Sequence, residues 1–140
     1  FVPHVLAYMV AYAVLAKASV QAAGALVAGP DRPLGRGHRS AGDAARALTR
    51  LAFPALTAGL ALGALWGKQA WGDWWNGDPK ELSSLAAWLT FVAALHARPM
   101  LGPRGRRLEA ALILLGMALN VLTLIWVNLS TALAGLHSYA

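Results

Sequence analysis

Trp71-Gly72-Asp73-Trp74-Trp75-Asn76-Gly77-Asp78-Pro79-Lys80-Glu81 interrupts a chain that is otherwise close to continuously apolar. Three of the six tryptophans stand at positions 71, 74 and 75, with Trp66 just before them and Trp88 just after. On a helix, Trp71, Trp74 and Trp75 would occupy i, i+3 and i+4 and share one face. Rings concentrated in that way can hold another large, flat, apolar body. Tryptophans also collect at membrane–water boundaries as an aromatic belt, and composition alone does not separate the two readings. The second half of the stretch has a local explanation. Asp78 suits an N-cap, Pro79 the first helical position and Glu81 the reciprocal partner of a capping box. The two carboxylates therefore start a helix and are not an acid/base pair. The whole stretch reads as a ring-rich loop at a membrane surface, feeding a firmly started helix.

Composition agrees with a membrane setting. Of 140 residues, 58% are hydrophobic and 13% charged, against about 25% charged in a soluble domain. The mean hydropathy is +0.51. The net charge of +6 would suit a polyanion, but the placement of the cations excludes nucleic acid. Arg32, Arg36, Arg39, Arg46 and Arg50 fall in one break of the apolar pattern, and Arg98, Arg104, Arg106 and Arg107 in another. Basic residues confined to alternate connections mark membrane topology. The chain has no cysteine, so it offers neither a disulfide framework nor a thiolate metal site. It opens on Phe1 and enters an apolar run almost at once, as expected of the core or a piece of something longer, and 1–140 reads as one transmembrane domain.

A spanning helix needs about 20 mainly apolar residues. Candidates are Val5–Ala28, Leu51–Lys68, Leu82–Ala97 and Leu108–Val127, which predicts an all-α bundle of four transmembrane helices. The arginine-bearing connections Gly29–Arg50 and Arg98–Arg107 should face the cytoplasm. The tryptophan loop, and by parity both termini, should then be extracytoplasmic. His4 and His137 thus arrive at the same face as the tryptophans. Lys17 and Gln21, polar at i and i+4 in the first span, read as buried in the bundle or turned to a subunit beyond this chain, rather than as catalytic. His4, Tyr8 and Tyr12 share a face that suits an interfacial anchor or a pocket wall equally. Gly59, Gly63 and Gly67 recur every fourth residue, a pattern that admits a close helix neighbour and is read as packing without chemistry. Asn120 and Thr123 can bond between helices.

Trp-Gly-x-Trp-Trp-Asn-x-Asp-Pro-Lys-Glu, followed by Ser84-Leu85, Trp88-Leu89 and Leu95-His96-x-Arg98, resembles the tryptophan-rich (WWD) signature of the cytochrome c assembly proteins, nearest to the CcsA type. Gly135-Leu-His-Ser-Tyr139 is similar to that family's ending, so the likeness runs from His4 to Tyr139. Where the family usually has a further tryptophan before Asp-Pro, this chain has Gly77. The resemblance implies haem handling at the outer face of the membrane and attachment to apocytochrome c. It implies haem b held by His4 and His137 as axial ligands of the iron, against Trp71, Trp74, Trp75 and Asp78. A protein that attaches haem to a client needs no cysteine of its own, because the client brings a Cys-x-x-Cys-His segment. The family also implies a CcsB-type partner subunit or fused segment.

The four histidines differ in what they can do. His38, among the arginines of the inner connection, is assigned nothing. Neutral imidazole is an axial ligand for haem iron, and two of them give a six-coordinate site. His96 lies fifteen positions after Glu81, about 22 Å farther along a helix, and cannot serve the same iron as His4. An imidazolium there would meet the negative end of a helix dipole. The resemblance instead implies an inner haem site at His96, with its second ligand from elsewhere in the assembly.

The expected function is haem binding and presentation in cytochrome c biogenesis, as part of a haem lyase (holocytochrome c synthase) assembly. The alternative is a b-type haem subunit for electron transfer, although such carriers place ligand pairs within facing helices. A cofactor-free structural or transporter-like bundle would leave the ring cluster idle.

Overall fold

The computed structural model describes residues 1–33 and 40–129. They form four α-helices: α1 (Val2–Ala28), α2 (Ala41–Trp71), α3 (Pro79–Leu101) and α4 (Gly105–Leu129), with a 3-10 turn at Gly102–Arg104 between the last two. No strand occurs among the described residues; one isolated bridge, Pro33 to Ser40, closes the first connection. Among the described residues, three continuous helical stretches are long and apolar enough to cross a membrane: Val2–Ala28, Ala41–Trp71 and Pro79–Ile125. The last has 47 residues, which would extend about 70 Å if straight. It instead doubles back at Gly102–Arg104, where Gly102 adopts φ 57° and ends α3, and the fully buried Phe91 ring of α3 then sits in the notch left by Gly116 of α4. The expected all-α membrane bundle of four helices is thus the observed one.

Each boundary has a local cause. Ser40 caps α2 by accepting from the Asp43 amide at 3.1 Å, so α2 begins ten residues before Leu51, where the apolar pattern alone would start it. Arg46 and Arg50, expected in a loop, are helical. The energetic reason for Arg46 is the company it keeps. It pairs with Glu109 of α4 and donates to the Leu95 carbonyl at 3.3 Å. Likewise Arg98 belongs to the last turn of α3 and Arg106 and Arg107 to the first turn of α4, leaving only Gly102–Arg104 between them. At the other end α2 stops at Trp71, where Gly72 adopts φ 88° and returns its amide to the Lys68 carbonyl, a left-handed cap that glycine accepts without a Cβ penalty. The expected capping box is present. Asp78 accepts from the Glu81 amide at 2.8 Å, and the Glu81 side chain reaches back to the N-cap backbone. A cap of this kind contributes about 1 kcal/mol.

The core is built mainly from alanine: Ala11, Ala18, Ala22 and Ala25 of α1, Ala45 and Ala52 of α2, Ala94 of α3 and Ala110 of α4, filled out by Leu15, Leu56, Phe91 and Ile113. Small side chains let backbones approach closely where lipid provides no hydrophobic drive between helices. Trp88 ties α3 to α2, its Nε1 donating to Thr57 Oγ1 at 3.0 Å and its ring stacking on Phe53 at 5.6 Å. The helices alternate in direction. His4 and Phe1, the end of α2 and the tryptophan loop share one end of the bundle. Arg32, Arg46, Arg98 and Arg106 share the other, with Arg98 paired to Asp43 and Glu109 and Arg106 to Asp31.

Candidate functional site

At the tryptophan end a cavity of 270 Å³ opens between α1, α2, the tryptophan loop, the start of α3 and, through Thr123 and Leu124, α4. Its walls include His4, Tyr8, Trp66, Trp75 and Lys80. His4 is placed by α2. Its Nδ1 donates to the Gly59 carbonyl at 2.8 Å, since a carbonyl can only accept. The neutral tautomer this selects carries its acceptor lone pair on Nε2. A Cβ on Gly63 would come within 2.7 Å of His4 Cε1, and one on Gly59 within 3.1 Å of the Tyr8 ring. The glycines read as plain helix packing therefore have a second consequence. They cut the seat in which two rings of α1 lie, and the shared face of His4, Tyr8 and Tyr12 is a pocket wall.

The rings continue in both directions from His4. Tyr8 meets it edge-on at 5.0 Å, and Tyr12 follows Tyr8 at 5.3 Å. Phe1 lies 6.4 Å from His4 and 5.2 Å from Trp66, and Trp66 packs edge-on against Trp71 at 4.6 Å. The tryptophans thus do not act as one helical face. The helix ends at Trp71, which is held in a second layer behind Trp66. Trp75 lines the cavity although 41% exposed, while Trp74, at 54%, is not part of its lining. Helical spacing could not show this, because Gly72 breaks the helix inside the motif.

The loop between Trp75 and α3 is wound around one carboxylate. Glu81 Oε2 accepts from the amides of Asn76 and Gly77, each at 2.8 Å. Gly77 adopts φ 69°, a left-handed conformation that costs a bulky side chain energy. That is a physical reason for glycine where a tryptophan would be expected. Asp78 is buried as the cap of α3 and does not line the cavity. His96 is exposed on α3 near the arginine end, its Nδ1 donating to the Val92 carbonyl at 2.8 Å. It is remote from His4, as its position along the helix requires. His137 and His38 lie outside the described residues. Among the described residues no group of three His, Cys, Asp or Glu side chains could hold a bare metal ion. What this end does offer is one oriented imidazole, aromatic walls and a cation, Lys80, at the rim.

The profile of the family described as "Cytochrome C assembly protein" matches residues 1–135. Among curated relatives, "Cytochrome c biogenesis protein CcsA" of Gloeobacter violaceus is 45% identical over 92 residues, 66% of this chain and 26% of that protein. The protein of the same name from Synechococcus elongatus is 46% identical over 89 residues, 64% of this chain and 26% of its own length. That of Trichodesmium erythraeum is also 46% identical over 89 residues, 64% of this chain and 24% of its own. The matched region thus spans about a quarter of these relatives. No solved structure matches. With three of its helical stretches apolar enough to cross a bilayer, this integral membrane chain belongs to the cytochrome c assembly protein family, in its CcsA branch.

Proposed function

We propose that the tryptophan end of the bundle binds haem b and presents it, at the extracytoplasmic surface, for attachment to apocytochrome c. The observation that carries this reading is the setting of His4. Metal-bound histidines characteristically donate their second ring N–H to a carbonyl or carboxylate, which fixes the ring and raises its basicity. The Gly59 carbonyl is such an acceptor, and it sets His4 in the wall of a cavity that Trp66 and Trp75 also line. The residues fit a porphyrin: a neutral imidazole, flat apolar walls and a cation at the rim to meet a carboxylate.

At 270 Å³ the cavity falls just below the range of about 300–1,000 Å³ usual for enclosed ligand sites. It would grip one edge of a porphyrin and leave the rest at the surface. His4 would hold the iron. His137, at the other end of the sequence, would be its second ligand. Trp75 and Trp66 would orient the ring plane, and exposed Trp74 would stand where a client approaches. When bound, haem supplies vinyl groups that accept the thiols of a Cys-x-x-Cys-His segment. The chain's own work is to fix distance and orientation. Within a haem lyase assembly a CcsB-type partner would complete the machinery. His96, exposed at the far end, would serve an inner haem site whose second ligand comes from that partner.

Co-expression of the full-length protein with its partner and a Cys-x-x-Cys-His apocytochrome tests the function. We expect haem covalently bound to the client, visible as haem staining on a denaturing gel, and greatly reduced on Trp75→Ala. Haem that remains with this chain while the client stays unmodified would favour the electron-transfer alternative and reject the assignment.

A further inference from the structure

Lys17 lies well inside α1, fifteen positions after Val2 and eleven before Ala28, about 22 Å and 16 Å from the two helix ends. It is not folded into the bundle. The buried face of α1 runs through Ala11, Leu15, Ala18, Ala22 and Ala25, whereas Lys17 is exposed on the outer face with Ala13, Val20 and Gly24. Among the described residues no ion pair or hydrogen bond includes Lys17. An ammonium ion at this depth is costly against hydrocarbon and is normally met by an opposite charge, a polar partner or water.

We propose that this outer face of α1 docks a transmembrane helix, from outside these 140 residues, that carries an aspartate or glutamate level with Lys17. Charge complementarity selects the chemistry of the partner. The chain's six acidic residues are Asp31, Asp43, Asp73, Asp78, Glu81 and Glu109, and all lie in connections or near the start of a helix, Glu109 deepest, four positions after Gly105. A second copy of the chain therefore has no carboxylate at the depth of Lys17. The relatives are about four times as long as the region matched, so such proteins have chain beyond this region from which a partner helix could come. Gly24, one face with Lys17, and the alanines around it let the partner approach closely. Gln21, four residues on, can bond to the same carboxylate or its neighbour. The surface is independent of haem binding and lies on the opposite side of α1 from its buried seam.

A photo-crosslinking residue at Val20, in the chain at its full natural length and in its native membrane, tests the surface. The expected crosslink is to a transmembrane segment with an Asp or Glu within one helical turn of the attachment point. Lys17→Gln should lower that crosslink and the recovery of the complex at least about tenfold, and Lys17→Arg should retain most of both. Lys17→Glu combined with the partner's acid changed to Lys should restore the complex. Crosslinks to lipid alone would show the ammonium reaching the headgroups and would overturn the proposal. So would crosslinks to a second copy or to a segment without a carboxylate, or an unchanged complex in Lys17→Gln. Loss of helix content in Lys17→Gln would place the side chain inside the fold and also reject it.

Discussion

Glu109→Ala should destabilise the bundle by about 3–5 kcal/mol, the usual result of removing one partner from a buried ion pair. Glu109 is 2% exposed and is shared by two arginines, Arg46 of α2 and Arg98 of α3. Arg98 extends the network to Asp43 at 2.5 Å. One carboxylate on α4 thus fastens three helices at the arginine end. Its loss leaves Arg46, 12% exposed, without an anion, and Arg98, 19% exposed, with only the partly exposed Asp43. Asp43→Ala should cost far less, about 1 kcal/mol or under, because that carboxylate is 43% exposed and water screens its pair. Thermal unfolding in detergent, followed by helix content, checks both. Equal losses in the two variants would mean that burial does not set the strength of this network.

Gly63→Ala should weaken haem binding about 10- to 100-fold, the loss typical of disturbing the group that orients a metal-bound histidine. The added methyl would sit 2.7 Å from His4 Cε1 and 2.8 Å from Nδ1, closer than carbon tolerates. The ring must swing, and the bond to the Gly59 carbonyl at 2.8 Å breaks. Alanine is a better helix former than glycine, so α2 itself should be no less stable. Affinity would fall while helix content and unfolding temperature hold. Haem titration of purified Gly63→Ala reads this directly. Undiminished affinity would mean that the seat cut by the glycines is irrelevant to the ligand.

Much of this was legible in the residues themselves. Spans of about the right length, a capping box at Asp78-Pro79-Lys80-Glu81 and arginines in alternate connections give the four-helix bundle with few assumptions. The start of α2 was not legible, because Arg46 and Arg50 read as loop charges until Glu109 is seen to neutralise Arg46 from another helix. A lone glutamate in an apolar helix was the available signal. The tryptophan motif misleads in a different way. Its i, i+3, i+4 spacing describes a helix that Gly72 has already ended. The glycine repeat correctly announces close packing, but only three dimensions show that rings from α1 fill the space. The opposite end of the sequence, His137 included, lies outside the described residues.

Everything functional turns on whether the first-helix imidazole coordinates iron. The decisive measurement is the absorption spectrum and haem stoichiometry of the purified full-length protein beside His4→Ala, recorded with and without added imidazole. Six-coordinate, low-spin haem in the parent, its loss from the outer site in His4→Ala and recovery with free imidazole is the result predicted. An outer-site spectrum and haem content unchanged by His4→Ala would contradict the account.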